Sequence, residues 1–309
     1  MKKNCVKIGT RGSQLALFQA ELTKAKLLEK FPEIEVEIVI IKTKGDKILD
    51  VALSKIGDKG LFTKEIENAL LAGEVDIAVH SLKDLPTTLP EGLKLGAVLE
   101  RAEFRDALVS KDGRKLHELT ENDVIATSSL RRKASLLRYN KNFQIVDIRG
   151  NVNTRLRKME EGFCDAMIMA AAGLQRLELD NYITEIISPK TIVPAASQGI
   201  IAIESRIGDA TTEKLLDAIN HAPSWIAGEA ERGFLRAIEG GCQVPVGCFS
   251  KLNGEEITLT GFVASTDGSV YLLETETGSV DQPKATGEKL AQKLIERGAA
   301  KIMEEVRNQ

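Results

Sequence analysis

Three kinds of residue in this 309-residue chain could do chemistry together: a cysteine, Cys242, directly behind Gly240-Gly241; an aspartate, Asp84, beside Lys83; and a crowd of arginines. A thiol is a potential nucleophile and covalent anchor. A carboxylate can take a proton or face a developing positive charge, and guanidinium forks suit carboxylates or phosphates. Cys242 falls where a helix should stop: Ser224 reads as the cap, Ile226, Ala230, Phe234 and Ile238 recur every four residues, and the two glycines supply a left-handed end. The cysteine is therefore expected on an exposed, tightly defined turn. Taken singly, a free cysteine is ordinarily a small buried hydrophobe and an aspartate before Pro86 an ordinary turn residue.

The arginines alter that weighing. Seven of the sixteen (Arg131, Arg132, Arg138, Arg149, Arg155, Arg157, Arg176) lie within 46 residues, and Arg11 stands near the start of the chain. Arg138 and Arg157, on helix flanks, read as solvated surface cations, whereas Arg131 and Arg132 follow the Ser128-Ser129 cap and Arg149 ends a strand. Neither GxxxxGK[ST] nor GxGxxG occurs, so several carboxylates are a better ligand than a nucleotide phosphate. The lysine-rich segment 42–64 reads as a loop able to lie over a cleft, with Phe62 as its apolar anchor.

The elements that must position these residues alternate strand and helix over the first two-thirds of the chain, the pattern of parallel-rich sheets covered by helices. The pattern repeats. Val6 to Thr10 leads through Ser13 into a helix with Leu15, Phe18, Leu22 and Ala25 on one face, and Val124 to Thr127 leads through Ser128-Ser129 into a helix carrying Leu130, Leu136 and Leu137. GEVDIAVHSLKDL from Gly73 aligns with GFCDAMIMAAAGL from Gly162, pairing Asp76 with Asp165 and setting Lys83-Asp84 opposite Ala172-Gly173. Two α/β lobes of one plan follow, with the charged pair in the first only. Their polar clusters all come after strands, where open α/β sheets bind ligands, and Ser13 and Ser129 begin helices, where anions are favoured. One shared cleft is the expectation. The last third has Asn253-Gly254 and Asp267-Gly268 hairpin signals and a long helix with Leu290, Leu294 and Ile302, which makes a small C-terminal α+β domain.

Composition excludes several classes. The apolar content of 43% and net charge of −3 are ordinary for a globular protein, and no run of apolar residues is long enough to span a bilayer. The opening residues carry no signal core, which points to the cytoplasm. The four cysteines show no CxxC and the three histidines stand apart from them, so neither a disulfide framework nor a metal site is expected. Two other readings stay open at this point: a two-lobed receptor for a polycarboxylate, which would not require Asp84 or Cys242, and a nucleic-acid binder using the basic helix from Thr127, against which the net charge counts.

The ordered motifs GTRGSQLAL (from Gly9), KGLFTKE (Lys59), HSLKDLP (His80), ERAEFRDALVS (Glu100), TSSLRR (Thr127), RGNVNTRL (Arg149), AAAGLQRL (Ala170) and EGGCQVPVG (Glu239) resemble the porphobilinogen deaminase (hydroxymethylbilane synthase) family over nearly the whole chain. The resemblance implies two periplasmic-binding-protein-like lobes, 1–99 with 200–219 and 105–193, and a C-terminal domain, 222–309. It implies a transferase that joins four porphobilinogen molecules head to tail, releasing ammonia, to give hydroxymethylbilane in tetrapyrrole biosynthesis. Its cofactor would be a dipyrromethane joined by a thioether to Cys242, and Asp84 would be the catalytic carboxylate. Lys83, Thr127, Ser129, Arg131, Arg132 and Arg155 would hold the cofactor acids; Arg11, Ser13, Phe62, Arg149, Arg155 and Arg176 would hold substrate. The expected partner is porphobilinogen, with no nucleic acid, no membrane and a monomeric state. Two departures stand out: Ser197 where the family usually has glycine, and Phe18 where tryptophan is frequent.

Overall fold

A computed structural model describes residues 5–47, 60–239 and 244–308, which divide into two compact units. The first comprises 5–47, 60–102 and 199–225. Its sheet contains β1 (Cys5–Thr10), β2 (Glu35–Ile40), β3 (Ile77–Ser81), β4 (Leu93–Val98) and β10 (Ile201–Arg206), labelled in chain order, and is arranged β2-β1-β3-β10-β4. β1 is parallel to β2 and β3, while β10 is antiparallel to β3 and β4, so only the late-returning strand opposes the others.

Ser13 caps the helix Gln14–Lys30, its Oγ accepting from Ala16 N at 3.3 Å. The buried face of this helix is Ala16, Gln19, Ala20, Thr23 and Leu27, not the expected Leu15, Phe18, Leu22 and Ala25; Phe18 and Ala25 are exposed. Small and polar residues fill that face and obscure the apolar period. Gln19 Nε2 donates to Ser81 Oγ at 2.8 Å and Thr23 Oγ1 to Gln19 O at 2.9 Å, which removes the penalty of burying them.

The second unit comprises 103–198 with the described residues from 226 onward. Its five-stranded sheet holds β5 (Asp106–Ser110), β6 (Val124–Ala126), β7 (Gln144–Val146), β8 (Ala166–Ala170) and β9 (Glu185–Ile186) in the order β7-β6-β8-β5-β9, again with one antiparallel strand, β5, in the fourth place. The repeat extends to single hydrogen bonds. Asp76 Oδ2 accepts from Lys7 N and Asp165 Oδ2 from Val124 N, both at 2.8 Å, while Asp76 N and Asp165 N donate to the carbonyls of the same two residues, both at 2.9 Å. One aspartate, just before β3 in the first unit and β8 in the second, thus fixes the pairing of that strand with β1 or β6. Gly73 and Gly162, at φ 74° and 89°, make the turn before it.

The same unit contains the antiparallel sheet β11 (Val246–Asn253), β12 (Glu256–Ala264) and β13 (Tyr271–Ser279), with Gly254 and Gly268 at positive φ in the expected hairpins. The expected single long helix is two, Pro283–Glu296 and Ala299–Arg307, separated by Gly298 at φ 100°. Phe234, Leu259, Leu290, Leu294 and Ile302 form the core between these helices and the sheet. Helix Ala222–Ala237 begins two residues before Ser224; Nδ1 of His221 accepts from Ser224 N at 3.3 Å, so the histidine caps it. Ala230, Phe234 and Ile238 are buried as expected. Gly240, Gly241 and Cys242 lie outside the described residues.

Candidate functional site

In the first unit the candidate residues follow strands. Behind β1, the Arg11 guanidinium carbon lies 4.2 Å from the ring centroid of Phe62, a cation–π contact. The ring crosses the backbone of Gly45, where an added Cβ would come within 2.3 Å of it. Of segment 42–64, residues 48–59 lie outside the described residues.

β3 runs into a single 3₁₀ turn, Leu82–Asp84. Leu82 N donates to Ile200 O at 2.9 Å and Leu85 N to Leu82 O at 3.3 Å. Leu82 and Leu85 are buried against Val98, Ile200 and Ala202, which turns the residues between them outward: Lys83 is half-buried and Asp84 exposed. Pro86, lacking an N–H, stops the turn from growing into a helix. The Asp84 carboxylate makes no hydrogen bond or ion pair among the described residues, so its acceptors face outward.

In the second unit, Ser129 Oγ accepts from Arg132 N at 3.5 Å, at the start of helix Leu130–Tyr139, and Ser129 N donates to Thr127 Oγ1 at 3.3 Å. Arg131 and Arg132 point inward to Asp106, the first residue of β5. Arg131 Nη1 donates to Asp106 Oδ2 at 2.7 Å and to Val193 O at 2.6 Å; Arg132 Nη2 donates to Asp106 Oδ1 at 2.7 Å and Arg132 Nη1 to Ile168 O at 3.0 Å. Gln198 Nε2 joins them, donating to Asp106 Oδ1 at 3.0 Å. Burial alone would raise the Asp106 carboxyl, but the charges of Arg131 and Arg132 and their hydrogen bonds outweigh it and hold the group well below the usual carboxylate range. Two guanidiniums against one carboxylate leave this buried set with excess positive charge.

Arg155 reaches back to the turn that follows Arg149: Arg155 Nε donates to Gly150 O at 2.8 Å, Lys158 Nζ donates to Arg149 O at 3.1 Å, and Asn151 caps the helix Val152–Glu160 through Thr154 N at 2.9 Å. Gly150 is at φ 119°, and a Cβ there would meet Thr154 Cγ2 at 2.6 Å, so only glycine allows this close turn. Arg176 follows the short helix Ala171–Gln175, and burial pushes its pKa down to about 10, which leaves it charged at neutral pH. Arg157 and Arg138 are both exposed surface cations, Arg157 lying 3.7 Å from Glu161 and Arg138 over the Tyr271 ring at 4.1 Å.

Asp106 escaped the sequence reading although it sits inside a quoted motif. The available signal was an acidic residue opening the apolar run Asp106 to Val109, a place where a carboxylate needs a cation.

The family model described as porphobilinogen deaminase, dipyromethane cofactor binding domain, matches residues 6–214, and that for the C-terminal domain of the same enzyme matches residues 225–296. The chain belongs to the porphobilinogen deaminase family. The porphobilinogen deaminase of Desulfitobacterium hafniense is 50% identical over 302 residues, covering 98% of this chain and 97% of its own. That of Syntrophomonas wolfei is 49% identical over 302 residues, covering 98% and 99%. Among solved structures, the probable amino-acid ABC transporter extracellular-binding protein ytmK of Bacillus subtilis is similar over 70% of this chain and 90% of its own, at 13% identity and a TM-score of 0.41.

Family membership makes the chain an enzyme, porphobilinogen deaminase being the same enzyme as hydroxymethylbilane synthase, with a dipyrromethane as its cofactor. Pyrroles bearing acetate and propionate groups need fixed cations and hydrogen-bond acceptors for their N–H groups. The residues present fit that requirement: the second unit holds the cation-rich Asp106 set, Arg155 braced on Gly150, and the mostly buried Arg176, and the first unit presents the outward Asp84. Among the described residues no helix is long and apolar enough to cross a membrane.

Proposed function

We propose that this chain joins porphobilinogen molecules head to tail, releasing ammonia, to give hydroxymethylbilane for tetrapyrrole biosynthesis in the cytoplasm, acting as a monomer on a small-molecule substrate without nucleic acid or membrane. The observation that carries the reading is the Asp84 carboxylate, turned outward on a one-turn 3₁₀ helix whose neighbours Leu82 and Leu85 are anchored in the core. Held there, it accepts the pyrrole N–H of substrate and stabilises the positive charge that develops on that ring as ammonia departs. It then takes up the proton released when the new carbon–carbon bond forms. A preorganised charge of this kind supplies about 3–4 kcal/mol of a barrier reduction in comparable sites.

Bound as a thioether to Cys242, the dipyrromethane supplies the primer ring to which incoming units are added. Lys83, Thr127, Ser129 and Arg155 hold its acid groups. Arg131 and Arg132, fixed by Asp106, contribute positive charge that cannot swing away. Arg11 with Phe62, Ser13, Arg149 and Arg176 receive the carboxylates of substrate. The three domains of the family, 1–99 with 200–219, 105–193 and 222–309, separate these tasks. Two of the other three thiols are poor anchors: burial pushes Cys164 up to about 11, and Cys248 is fully buried with Sγ 3.7 Å from Glu231 O.

The test is the mass of the intact, denatured protein. It should exceed the sequence mass by one dipyrromethane, with the excess on a peptide containing Cys242, and Cys242→Ser should lose both adduct and product formation. Active protein of unmodified mass, or an adduct on another cysteine, would overturn the reading.

A further inference from the structure

Beneath the Leu82–Asp84 turn lies a set of ionisable side chains that the reaction as described does not use. His80, on β3, and Glu204, on β10, are 4% and 0% exposed, and His80 Nε2 lies 3.2 Å from Glu204 Oε2. The two groups are close but poorly aligned: among the described residues neither atom has a hydrogen-bond partner, and Glu204 Oε1 has none either. Glu67, on helix Lys64–Leu71, faces the same set. Burial raises its pKa and the Glu204 charge adds to the rise, while the Thr63 hydroxyl, His80 and Lys64 oppose it. Around them the layer is apolar, built from Ile66, Leu70, Val75, Ala78 and Ala202.

Buried groups that are incompletely satisfied are costly and rare, and they persist where something else is gained. A bound cation is not the gain, since no group of three or more ligating side chains able to hold a metal is present among the described residues. Specification is. β3 reads Ile-Ala-Val-His-Ser and β10 Ile-Ala-Ile-Glu-Ser-Arg, and antiparallel pairing sets Ser81 against Ile201 and Ala78 against Glu204. The apolar residues of the two strands are alike enough that a slip along the sheet would cost them little. A slip would, however, carry the imidazole away from its carboxylate inside an apolar layer, and one polar pair in such a layer selects a single register. That register sets where the turn stands. Asp84 comes four residues after His80, and Leu82 N is held by Ile200 O, four residues before Glu204. Glu67 ties in a third element, the helix Lys64–Leu71, which begins two residues after Phe62.

We propose that His80 and Glu204, with Glu67 behind them, are positioning residues that key β3 to β10 and so fix the height at which Asp84 is presented to substrate. The proposal rests on the reading of Asp84 as the carboxylate that meets the pyrrole ring. A displacement of a reacting group by a single ångström is enough to lower a rate by about a hundredfold.

The experiment compares Glu204→Gln, His80→Gln and their double variant with the parent holoenzyme, and runs Asp84→Asn beside them. Amide hydrogen exchange at Leu82 and Leu85 should rise by about tenfold in each variant of the pair. kcat should fall by about tenfold or more while KM stays within about twofold and the covalent adduct is retained, and the double variant should lose no more than the worse single one. Unchanged exchange at Leu82 would overturn the proposal. So would raised exchange with full turnover while Asp84→Asn is inactive, which leaves the Asp84 reading standing. If Asp84→Asn is itself active, that reading fails and the positioning role fails with it. Should Glu204→Gln not fold, the isosteric Glu67→Gln gives the same readouts, with a rise in exchange and a fall in kcat of about threefold expected; no change in either would count against the proposal.

Discussion

The two five-stranded sheets share strand order and the aspartate staple before the third strand, yet they bury charge in opposite ways. On the antiparallel strand of the second unit, Asp106 pairs with Ala170, the last residue of β8, and its carboxylate is saturated by Arg131, Arg132 and Gln198. The equivalent place in the first unit is Ile201, opposite Ser81; the buried acid there is Glu204, three residues deeper and under-satisfied. A common frame thus carries a complete ion network at the strand ends of one unit and an incomplete one within the core of the other. The frame positions and the network specialises. The second unit holds two cations rigidly against Asp106, while the first keeps a single carboxylate, Asp84, outward on a short turn.

The largest effect that could break this comparison is on stability. Asp106→Asn would leave two guanidiniums buried against a neutral amide and should cost about 3–5 kcal/mol of unfolding free energy at neutral pH, measured by denaturant titration. The pH sign follows from the direction of the shift. Because the folded-state pKa of Asp106 is depressed, its contribution is present above its unfolded value of about 3.9 and is lost as the pH falls through the folded one. Glu67 behaves oppositely: its raised pKa gives stability that is present at acid pH and lost as the pH rises through the folded value. Equal acid sensitivity of the parent and Asp106→Asn would remove the distinction between the units.

Next in size is turnover. Asp84→Asn should keep the fold and the covalent adduct while lowering kcat by about a hundredfold or more, since charge rather than volume is removed. Near-normal product formation by the folded variant would show that the outward carboxylate of the first unit has no such role.

Much of this contrast was legible in the sequence, and its limits are physical. Glycine and aspartate at matching places exposed the repeat because each does backbone work that tolerates few substitutes: Gly73 and Gly162 adopt positive φ, and Asp76 and Asp165 staple strands, while the matched Leu85 and Leu174 are both buried in the core. Arg131 and Arg132 were recognisable as special, but their partner was not, because Asp106 is 25 residues away from the nearer one and only the folded sheet brings them together. The face of helix Gln14–Lys30 was misread for the converse reason. Close packing there selects Ala16 and Ala20, and internal hydrogen bonds make Gln19 and Thr23 compatible with burial, so the apolar period points elsewhere. The last helical stretch was read as one helix because its apolar period runs on past Gly298, and Leu290, Leu294 and Ile302 do lie on buried faces although two helices carry them.

A smaller effect probes how the second unit meets substrate. Arg176→Leu should weaken substrate capture or stall elongation by about 1.5–3 kcal/mol, the range of a charge-assisted contact, and Arg149→Leu should do likewise. Because burial brings Arg176 down to about 10, capture by the parent should also weaken as the pH passes that value, and Arg176→Leu should lack this step. Elongation intermediates separated by charge on an anion exchanger, together with KM across pH, would check both; an unchanged distribution would remove these arginines from the site.

The smallest expected effect lies within the well-satisfied unit and tests whether its order is complete. Ser197 stands at φ 62°, a left-handed conformation that a residue with a Cβ adopts at a cost, and its Oγ is buried without a hydrogen-bond partner. Its backbone is nonetheless held: Ser197 N donates to Glu231 Oε2 at 2.5 Å, and Glu231 Oε1 also accepts from Ser250 N at 2.8 Å and Ser250 Oγ at 2.7 Å. Glu231 therefore imposes the conformation from helix Ala222–Ala237, and the serine accommodates it. Ser197→Gly should remove both the strain and the orphaned hydroxyl while keeping the bond to Glu231. Glycine's greater freedom in the unfolded chain offsets part of that gain by about 0.5–1 kcal/mol, so a net stabilisation of about 1 kcal/mol is expected. Glu231→Gln in the same background should lose more than Glu231→Gln in the parent does, because glycine left without that acceptor has no side chain to restrict its backbone. Unchanged unfolding free energy in Ser197→Gly would mean that Glu231 holds serine and glycine there equally well.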